Sequence, residues 1–350
     1  ITAVAGLLTV WIVSHAPKQE LSNKDGYLVI IVSWLVLSLA GTLPYLFSNT
    51  ADGFVNAFFE SVSGFTTTGS TSFGSVEQLP HSVLFWRSLT QWTGGFCVLY
   101  MLVSVLPIVQ IGGHNLYSSE IPASEKFLVR NWTLASWVVL IYSSLTLIEI
   151  ISLAAGGMHL FDSICISFGT VSTGGFAVKN DSLASYAPNL QYIVTLFMFL
   201  SATNYIVLLY IINRDIRKIR SNGEFSFYLL ITGLSVIYVA AVLFARTDRD
   251  LSVSVRDSAF QVVSQITTTG FATSNYSTWP VAAYFFMFLL LFAGGCTIST
   301  SGGIKMARHL VMYKNLKVLM IKLQHPNSVV HVKLNGKIVP EIISNTVVLF

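Results

Sequence analysis

The chain has 350 residues, of which 53% are hydrophobic and only 10% are charged, and its mean hydropathy is +0.67. A water-soluble domain usually carries about 25% charged residues, so this composition excludes a soluble globular protein and indicates an integral membrane protein. The formal net charge of +4 is too small to predict nucleic-acid binding.

Six apolar runs are long enough to cross a bilayer, since a spanning helix needs about 20 mostly apolar residues. They are 27–48, 84–107, 132–155, 189–213, 225–245 and 281–296 continuing past 303. Three shorter apolar segments lie between paired runs, with lengths typical of re-entrant helices: 54–67, 161–172 and 257–268. Partial runs at 1–14 and 341–350 lead us to expect truncated spans at both ends.

A loop of hydroxyl residues and glycine follows each short segment, in FFESVSGFTTTGS (58–70), CISFGTVSTGGF (165–176) and FQVVSQITTTGF (260–271). The three stretches align on Gly69, Gly175 and Gly270, with a threonine two residues before each glycine. Thirteen residues before these glycines stand three residues that favour helix N-caps, and we predict that role for them: Asn56, Asp162 and Asp257. Such self-similarity predicts three copies of one helix–loop–helix unit.

The distribution of cations sets the orientation, because cytoplasmic loops carry the excess of Lys and Arg. The linkers away from the glycine loops are basic, at Lys18, Lys24, Lys126, Arg130, Arg214, Arg217, Lys218 and Arg220. More cations follow the last span, at Lys305, Arg308, Lys314, Lys317 and Lys322. The segments just after the loops hold Lys179 alone. We therefore expect the glycine loops to open to the outside and the basic linkers to face the cytoplasm.

The repeated loops have the chemistry of a cation filter. Rings of backbone carbonyls replace the hydration shell of an ion, glycine adopts the φ > 0 conformations that aim them, and hard oxygen ligands suit alkali cations. A short helix whose C-terminus faces the pore adds the negative end of its macrodipole. The alternative for each glycine is a turn or a packing contact. The predicted ion-binding residues are Thr67, Thr68, Gly69, Ser172, Thr173, Gly174, Gly175, Thr268, Thr269 and Gly270.

These motifs resemble the Trk/Ktr/HKT superfamily of potassium transporters, and its bacterial Trk membrane subunits most closely. The resemblance covers nearly the whole chain and is carried by five segments: SVSGFTTTGST (61–71), SFGTVSTGGF (167–176), SQITTTGFATSNY (264–276), GGCTISTSGGIKMAR (294–308) and HPNSVVHVKLNGKIV (325–339).

The resemblance implies an all-α integral membrane fold, in which four helix–pore-loop–helix units surround one pore with pseudo-fourfold symmetry. Residues 26–110, 130–214 and 224–322 would be three pore units. Residues 1–14 would end a preceding helix, and 323–350 would form a linker and the start of a truncated fourth unit. The fourth filter loop is expected beyond residue 350.

The function implied is potassium uptake through a multi-pass protein of the cell (inner) membrane, with no cofactor beyond the transported ion and no enzymatic activity. Glycine in all three loops favours potassium, because serine in the first loop is linked in the superfamily to sodium-preferring plant members. A sodium-selective or sodium-coupled transporter remains the alternative. The expected partners are lipid, a second copy in a homodimer, and a cytoplasmic nucleotide-binding ring of the RCK type.

The last predicted span contains a break, because four glycines among ten residues disfavour a regular helix. The resemblance implies an intramembrane gate here, formed by Gly294, Gly295, Cys296, Thr297, Ile298, Ser299, Thr300, Ser301, Gly302, Gly303 and Lys305. The alternative is a helix end at the cytoplasmic surface with snorkelling cations. Ile298 departs from the family pattern, which has glycine there, so we expect an altered loop path or a tighter apolar plug.

Three further polar residues lie within predicted spans, where polar groups mark functional sites by default. Arg87 is close to the outer end of its helix, and we expect it to snorkel towards water. Glu149 is expected either to attract cations or to pair with a neighbour, and Asn204 is the third of these residues. The cysteines have no metal or redox spacing, so we interpret them as packing residues: Cys97, Cys165 and Cys296.

Overall fold

The computed structural model describes residues 23–105 and 132–339, apart from 327, 329 and 336, together with residues 344 and 347. The first part holds α1 (Asn23–Phe47), α2 (Gly53–Phe65) and α3 (His81–Tyr100), which continues as a π-helical turn over Met101–Val105. The partial run 1–14, most of 341–350, and the linker residues Lys18, Lys126 and Arg130 lie outside the described residues.

The second part is also built mainly of helices. In chain order they are α4 (Trp132–Ala155), α5 (Leu160–Val171), α6 (Pro188–Ser201), α7 (Tyr205–Ile212), α8 (Ile216–Ser221), α9 (Gly223–Arg246), α10 (Leu251–Ile266), α11 (Val281–Leu290) and α12 (Met306–Gln324). A 3-10 turn covers Tyr276–Thr278, and the two short strands β1 (Lys333–Leu334) and β2 (Lys337–Ile338) pair antiparallel, with Lys333 opposite Ile338.

Three described helices are long and apolar enough to cross a membrane, and α6 with α7 makes a fourth if the bent pair counts as one span. The three are Leu28–Phe47, Ala135–Ala155 and Gly223–Arg246. The predicted spans 27–48, 132–155 and 225–245 are thus confirmed as long apolar helices. The helix predicted over 84–107 begins slightly earlier, at His81.

The prediction of a single spanning helix over 189–213 was wrong, because α6 and α7 meet at an angle of 106°. The helix stops at Ser201 and restarts after Asn204, whose side-chain oxygen accepts a hydrogen bond from the N–H of Ile206 at 3.0 Å. Asparagine is a strong N-cap. The new helix start satisfies backbone groups that a break in the membrane would otherwise leave unpaired.

The last predicted span, 281–296 continuing past 303, is broken, and a break was predicted from its four glycines at 294–303. Helix α11 ends at Leu290, and residues 291–305 form a loop before α12 begins at Met306. We name residues 291–305 the intramembrane loop. Its glycines allow close backbone contact: the N–H of Gly294 donates to the Ile304 carbonyl at 2.9 Å, so the loop closes on its own start.

The short helices match the predicted re-entrant segments, but their predicted N-caps were wrong. The observed helices begin earlier than predicted, and their N-cap residues are Asp52, His159 and Asp250. The predicted N-caps Asn56, Asp162 and Asp257 therefore lie inside the helices. The two aspartates have tertiary partners instead. Asp162 accepts a hydrogen bond from the Tyr186 hydroxyl, and Asp257 pairs with Arg249 at 2.8 Å and Arg256 at 3.3 Å.

Each short helix packs between longer ones. Helix α2 packs against α1 and α3, α5 packs against α4, α3 and α6, and α10 packs against α9 and α6. Leu153, Ile166, Phe260 and Phe271 belong to one buried apolar cluster that joins α4 and α5 to α10. The short helices are therefore held by neighbours on several sides, which fixes the positions of the loops that follow them.

Candidate ion-conduction site

The short helices α2, α5 and α10 end in the same backbone geometry. Just beyond each, a threonine is left-handed, with φ of 53° at Thr67, 54° at Thr173 and 57° at Thr268. Its N–H bonds the carbonyl three residues earlier, and the next N–H bonds the carbonyl five residues earlier, as in the Schellman motif. Glycine normally occupies this position, so a β-branched residue there is an outlier. Its recurrence in three loops indicates a functional constraint.

A left-handed glycine follows two residues after each threonine, with φ of 78° at Gly69, 76° at Gly175 and 84° at Gly270. We name residues 66–70, 172–176 and 267–271 the first, second and third filter loops. Within the described residues, no protein donor bonds the carbonyls of the left-handed threonine, the middle residue or the glycine, except at Gly174. Carbonyls without protein donors are the groups that can replace water around a cation.

The filter loops pack on one another in a fixed order. A side-chain carbon added at Gly69 would overlap the carbonyl oxygen of Gly174 in the second loop, and one added at Gly175 would overlap that of Thr269 in the third. At Gly270 such a carbon would meet no described atom within 4 Å. Since both contacts join the filter glycine of one loop to the middle residue of the next, the three loops follow one another around a common centre.

A buried ion pair connects the ends of the first two filter loops, so the prediction that Arg87 snorkels to water was wrong. The Arg87 guanidinium lies 2.6 Å from the Glu60 carboxylate, and both side chains are almost fully buried. Glu60 also accepts hydrogen bonds from the Thr71 hydroxyl and the N–H of Ser72. The guanidinium lies over the Phe176 ring, 4.2 Å from its centroid.

The intramembrane loop lies against the bend between α6 and α7. The N–H of Cys296 donates to the Ala202 carbonyl at 2.9 Å, and the N–H of Tyr205 donates to the Ile298 carbonyl at 2.8 Å. Residues 296–301 are all buried. The backbone groups left unpaired at the α6–α7 bend therefore bond those of the intramembrane loop between α11 and α12. Irregular backbone at membrane depth requires such partners.

The same loop contacts the end of α5 and the third filter loop. The Thr300 hydroxyl donates to the carbonyl of Val171, the last residue before the second loop, at 3.1 Å. The N–H of Gly302 donates to the hydroxyl of Thr268 in the third loop at 2.7 Å. The candidate gate and the candidate filter are thus in direct hydrogen-bond contact, so a movement of one changes the contacts of the other.

Glu224, at the start of α9, holds the middle of the intramembrane loop. Its carboxylate is fully buried and accepts hydrogen bonds from the N–H of Thr297 at 2.6 Å and from the Thr297 hydroxyl at 2.8 Å. The Asn204 amide lies 3.4 Å from the same carboxylate. The preceding residue, Gly223, donates its N–H to the side chain of Asn335, between β1 and β2. One network therefore joins the loop, the α6–α7 bend and the hairpin.

Ile298 and Glu149 are both buried in the protein. Ile298 is outside the left-handed region and packs in a buried apolar cluster with Tyr142, Val171 and Tyr205. Ile298 therefore occupies a backbone conformation that a β-branched residue adopts without strain, and it packs against apolar side chains. Glu149 is fully buried in α4, and neither of its carboxylate oxygens has a hydrogen-bond partner among the described residues.

Two residues that contact the predicted site, Gln91 and Glu224, were not predicted from the sequence. Each is a buried polar side chain close to an apolar run, and this was the signal that could have identified it. Both make hydrogen bonds to loops that are distant in sequence. Within the described residues, no group of three His, Cys, Asp or Glu side chains is placed to hold a metal ion.

Comparison with known proteins places the chain beside transport proteins. The family model TrkH, described as a cation transport protein, matches residues 3–349. The Trk system potassium uptake protein TrkH of Escherichia coli K12 is 33% identical over 339 residues, covering 95% of this chain and 70% of that protein. The protein of the same description from Halomonas elongata is 34% identical, covering 99% of this chain and 73% of the relative.

A solved structure is also similar over nearly the whole chain. The crystal structure of the potassium transporter TrkH from Vibrio parahaemolyticus matches with a TM-score of 0.81 and 29% identity, covering 95% of this chain and 69% of that one. The prediction of an all-helical membrane protein with several spans is therefore confirmed. The small β1–β2 hairpin is the one described addition to the helices.

Proposed function

Because the chain belongs to the TrkH family of cation transport proteins, we propose that it takes up potassium across the cell membrane. Membership in this family also means that the chain is a multi-pass membrane transporter and not an enzyme. The observation that carries the proposal is the shared backbone of the three filter loops. In each loop, a left-handed threonine and a left-handed glycine are separated by one residue, and carbonyl oxygens of this segment have no protein donor among the described residues.

The proposed filter residues are those predicted from the sequence except Ser172, whose carbonyl accepts a hydrogen bond from the Thr173 hydroxyl at 2.7 Å. Ions shed water as they enter the ring of carbonyls at Thr67–Gly69, Thr173–Gly175 and Thr268–Gly270. The C-termini of α2, α5 and α10 precede these carbonyls, and each contributes about half a negative charge from its macrodipole. A membrane potential of 100 mV supplies about 2.3 kcal/mol per ion, which is enough to drive accumulation without a chemical reaction.

We propose that the three helix–loop–helix units at 26–110, 130–214 and 224–322 surround one pore, with a fourth unit completing the ring next to Gly270. A homodimer and a cytoplasmic nucleotide-binding ring remain the proposed partners. The helix α8 supports a basic docking face for such a ring, since Arg217 and Arg220 are exposed on it. These assignments rest on the family and on the order in which the filter loops pack.

Ion uptake in a host that lacks its own potassium transport tests the proposed function. We expect the protein to take up rubidium, a potassium analogue, faster than sodium, because carbonyl cages of this type favour the larger ion. The measurement is the initial rate of radiolabelled uptake, normalised to the amount of protein in the membrane. Sodium uptake equal to or faster than rubidium uptake would support the sodium-transport alternative instead.

We propose that the part of the intramembrane loop at Gly294–Gly303, with Lys305, is the gate, and that Glu224 holds this gate closed. A hydrogen bond to a charged group contributes about 1.5–3 kcal/mol. Replacing the carboxylate in Glu224→Gln, or removing one donor in Thr297→Val, should therefore raise rubidium uptake about tenfold by shifting the loop towards an open state. Uptake is measured as initial rate per transporter.

Glu77→Gln is the matched control for this prediction. Glu77 is an exposed carboxylate that accepts one backbone hydrogen bond, from the N–H of Asn180 at 3.0 Å, and it has no contact with the intramembrane loop. Its uptake rate should equal that of the unaltered protein. Unchanged or lower uptake by both Glu224→Gln and Thr297→Val, at normal protein levels, would mean that this network does not hold a closed gate.

A further inference from the structure

The protein holds the second filter loop differently from the other two. In the first and third loops, a serine on the short helix, six residues before the filter glycine, donates to the carbonyl just after that glycine. Ser63 bonds Ser70 at 2.5 Å, and Ser264 bonds Phe271 at 2.7 Å. In the second loop the equivalent position is Gly169, which has no hydroxyl. The second loop therefore needs another support.

Gln91, on α3 of the preceding unit, supplies that support. Its side chain is fully buried. The Gln91 Oε1 accepts a hydrogen bond from the N–H of Phe176, just after the filter glycine, at 3.0 Å. Its Nε2 donates to the carbonyl of Gly174 at 2.8 Å. One amide thus bonds both sides of Gly175 and uses its donor and its acceptor at the same time.

The glycine before Gly175 makes room for this amide. A side-chain carbon at Gly174 would lie 2.5 Å from the Gln91 Cδ, closer than non-bonded carbons approach. The other loops carry Thr68 and Thr269 where the second has Gly174. The departure of the second loop from the Thr-Thr-Gly pattern is therefore explained by the space that Gln91 occupies.

The amide also makes the proposed filter unequal. The carbonyls of Thr68 and Thr269, equivalent to that of Gly174, have no protein donor among the described residues, whereas the Gly174 oxygen already accepts one hydrogen bond. A carbonyl that shares its lone pairs with an N–H donor is a weaker ligand for an ion. Discrimination between potassium and sodium depends on the number, field strength and flexibility of the coordinating carbonyls.

We propose that Gln91 is a positioning residue that determines ion specificity. It fixes the second filter loop at a width suited to the larger ion and prevents the Gly174 carbonyl from closing on a smaller one. This inference rests on the proposed filter function of the loops. Gln91, which lies outside the filter loops, would therefore control which ion the protein prefers and not how fast ions are taken up.

The test is the ratio of rubidium to sodium uptake in Gln91→Met, which keeps the side-chain length and removes both hydrogen bonds. We expect the ratio to fall about tenfold, which corresponds to about 1.4 kcal/mol. The ratio of two uptake rates in one preparation does not depend on how much protein reaches the membrane. A purely structural role for Gln91 would lower both rates together and leave the ratio unchanged.

A second substitution in the same background tests the mechanism. In Gln91→Met/Gly169→Ser, a hydroxyl is placed where Ser63 and Ser264 carry theirs, and the added carbon lies 3.1 Å from the Phe176 carbonyl oxygen. We expect this serine to hold the second loop as its counterparts hold the others. It should recover about threefold of the lost ratio, since one neutral hydrogen bond replaces two.

Gln261→Met is the matched control. Gln261 is also a buried glutamine, and its Nε2 donates to the Ser274 carbonyl at 2.9 Å, beyond the third filter loop. The rubidium-to-sodium ratio of this variant should change by less than about twofold, because no loop carbonyl loses a partner. Gly175→Ala, which alters the proposed filter itself, is measured beside it and should be inactive. If Gly175→Ala is inactive but the ratio in Gln91→Met is unchanged, only the role of Gln91 is overturned. Unchanged uptake and ratio in Gly175→Ala as well would overturn the proposed filter.

Discussion

Gly175→Ala should lower rubidium uptake by at least about a hundredfold, taking as a guide the roughly hundredfold loss that a misplacement of about 1 Å causes at an enzyme active site. Gly175 has a φ of 76°, where a side chain costs about 1–2 kcal/mol. The added methyl group would also overlap the carbonyl oxygen of Thr269 in the third filter loop. Two filter loops must therefore move apart to accept it, and the carbonyls of both leave their positions.

Gly157→Ala separates these two causes. Gly157 has a φ of 96° between α4 and α5, and a side-chain carbon there would meet no described atom within 4 Å. It shares the backbone penalty of Gly175→Ala without the contact to a carbonyl. We expect its uptake to stay within about threefold of the unaltered protein. The measurement is initial rubidium uptake per transporter, with protein amounts determined in the same membranes.

Equal losses in the two variants would mean that backbone strain alone inactivates the protein, and the packing of the filter loops would then not account for uptake. Full activity of Gly175→Ala would contradict the filter itself. A selective loss at Gly175 would support a pore in which the second and third loops touch through one glycine.

The filter loops could be predicted from the sequence because their signals are local. A short apolar segment, hydroxyl residues and a glycine recur at fixed spacing, and the structure gives Thr67, Thr173 and Thr268 the same left-handed backbone. That conformation itself was not predictable. Threonine disfavours it, so only the surrounding packing determines it.

The bend between α6 and α7 was harder to predict, because it depends on tertiary contacts. Apolar composition over 189–213 indicates a span, yet the chain bends where Ala202 and Tyr205 exchange backbone hydrogen bonds with the intramembrane loop. The sequence Ser-Ala-Thr-Asn at 201–204 held the local sign of a new helix start. This sign alone does not predict the bend. The bend is stabilised by backbone hydrogen bonds to the intramembrane loop at 291–305, which is distant in sequence.

The partner of a buried charge is likewise a tertiary property. Arg87 stands in an apolar run near the outer end of its helix, and that position alone favours snorkelling. Glu60 lies 27 residues earlier, on the first short helix. Their pairing follows from the packing of α2 against α3, which no local pattern records.

Arg87→Met should destabilise the protein by about 3–5 kcal/mol, because breaking a buried ion pair leaves an uncompensated charge. Glu60 would keep its hydrogen bonds from Thr71 and Ser72, but it would lose the cation that offsets the burial of its carboxylate. The first filter loop would then lose a fixed support just beyond Gly69. We expect a lower midpoint of thermal unfolding in detergent and a matching loss of rubidium uptake.

Two further variants make this expectation specific. Glu60→Gln/Arg87→Met removes both charges, so it should recover about half of the lost stability. Arg249→Met removes an outer cation from Asp257, which keeps Arg256 at 3.3 Å, and it should cost about 1 kcal/mol or less. If Arg87→Met proves as stable as Arg249→Met, or the double variant is no better than Arg87→Met, the pair does not support the filter. A large loss that is partly reversed by removing the second charge would instead identify the Glu60–Arg87 pair as the element that joins the ends of the first two filter loops.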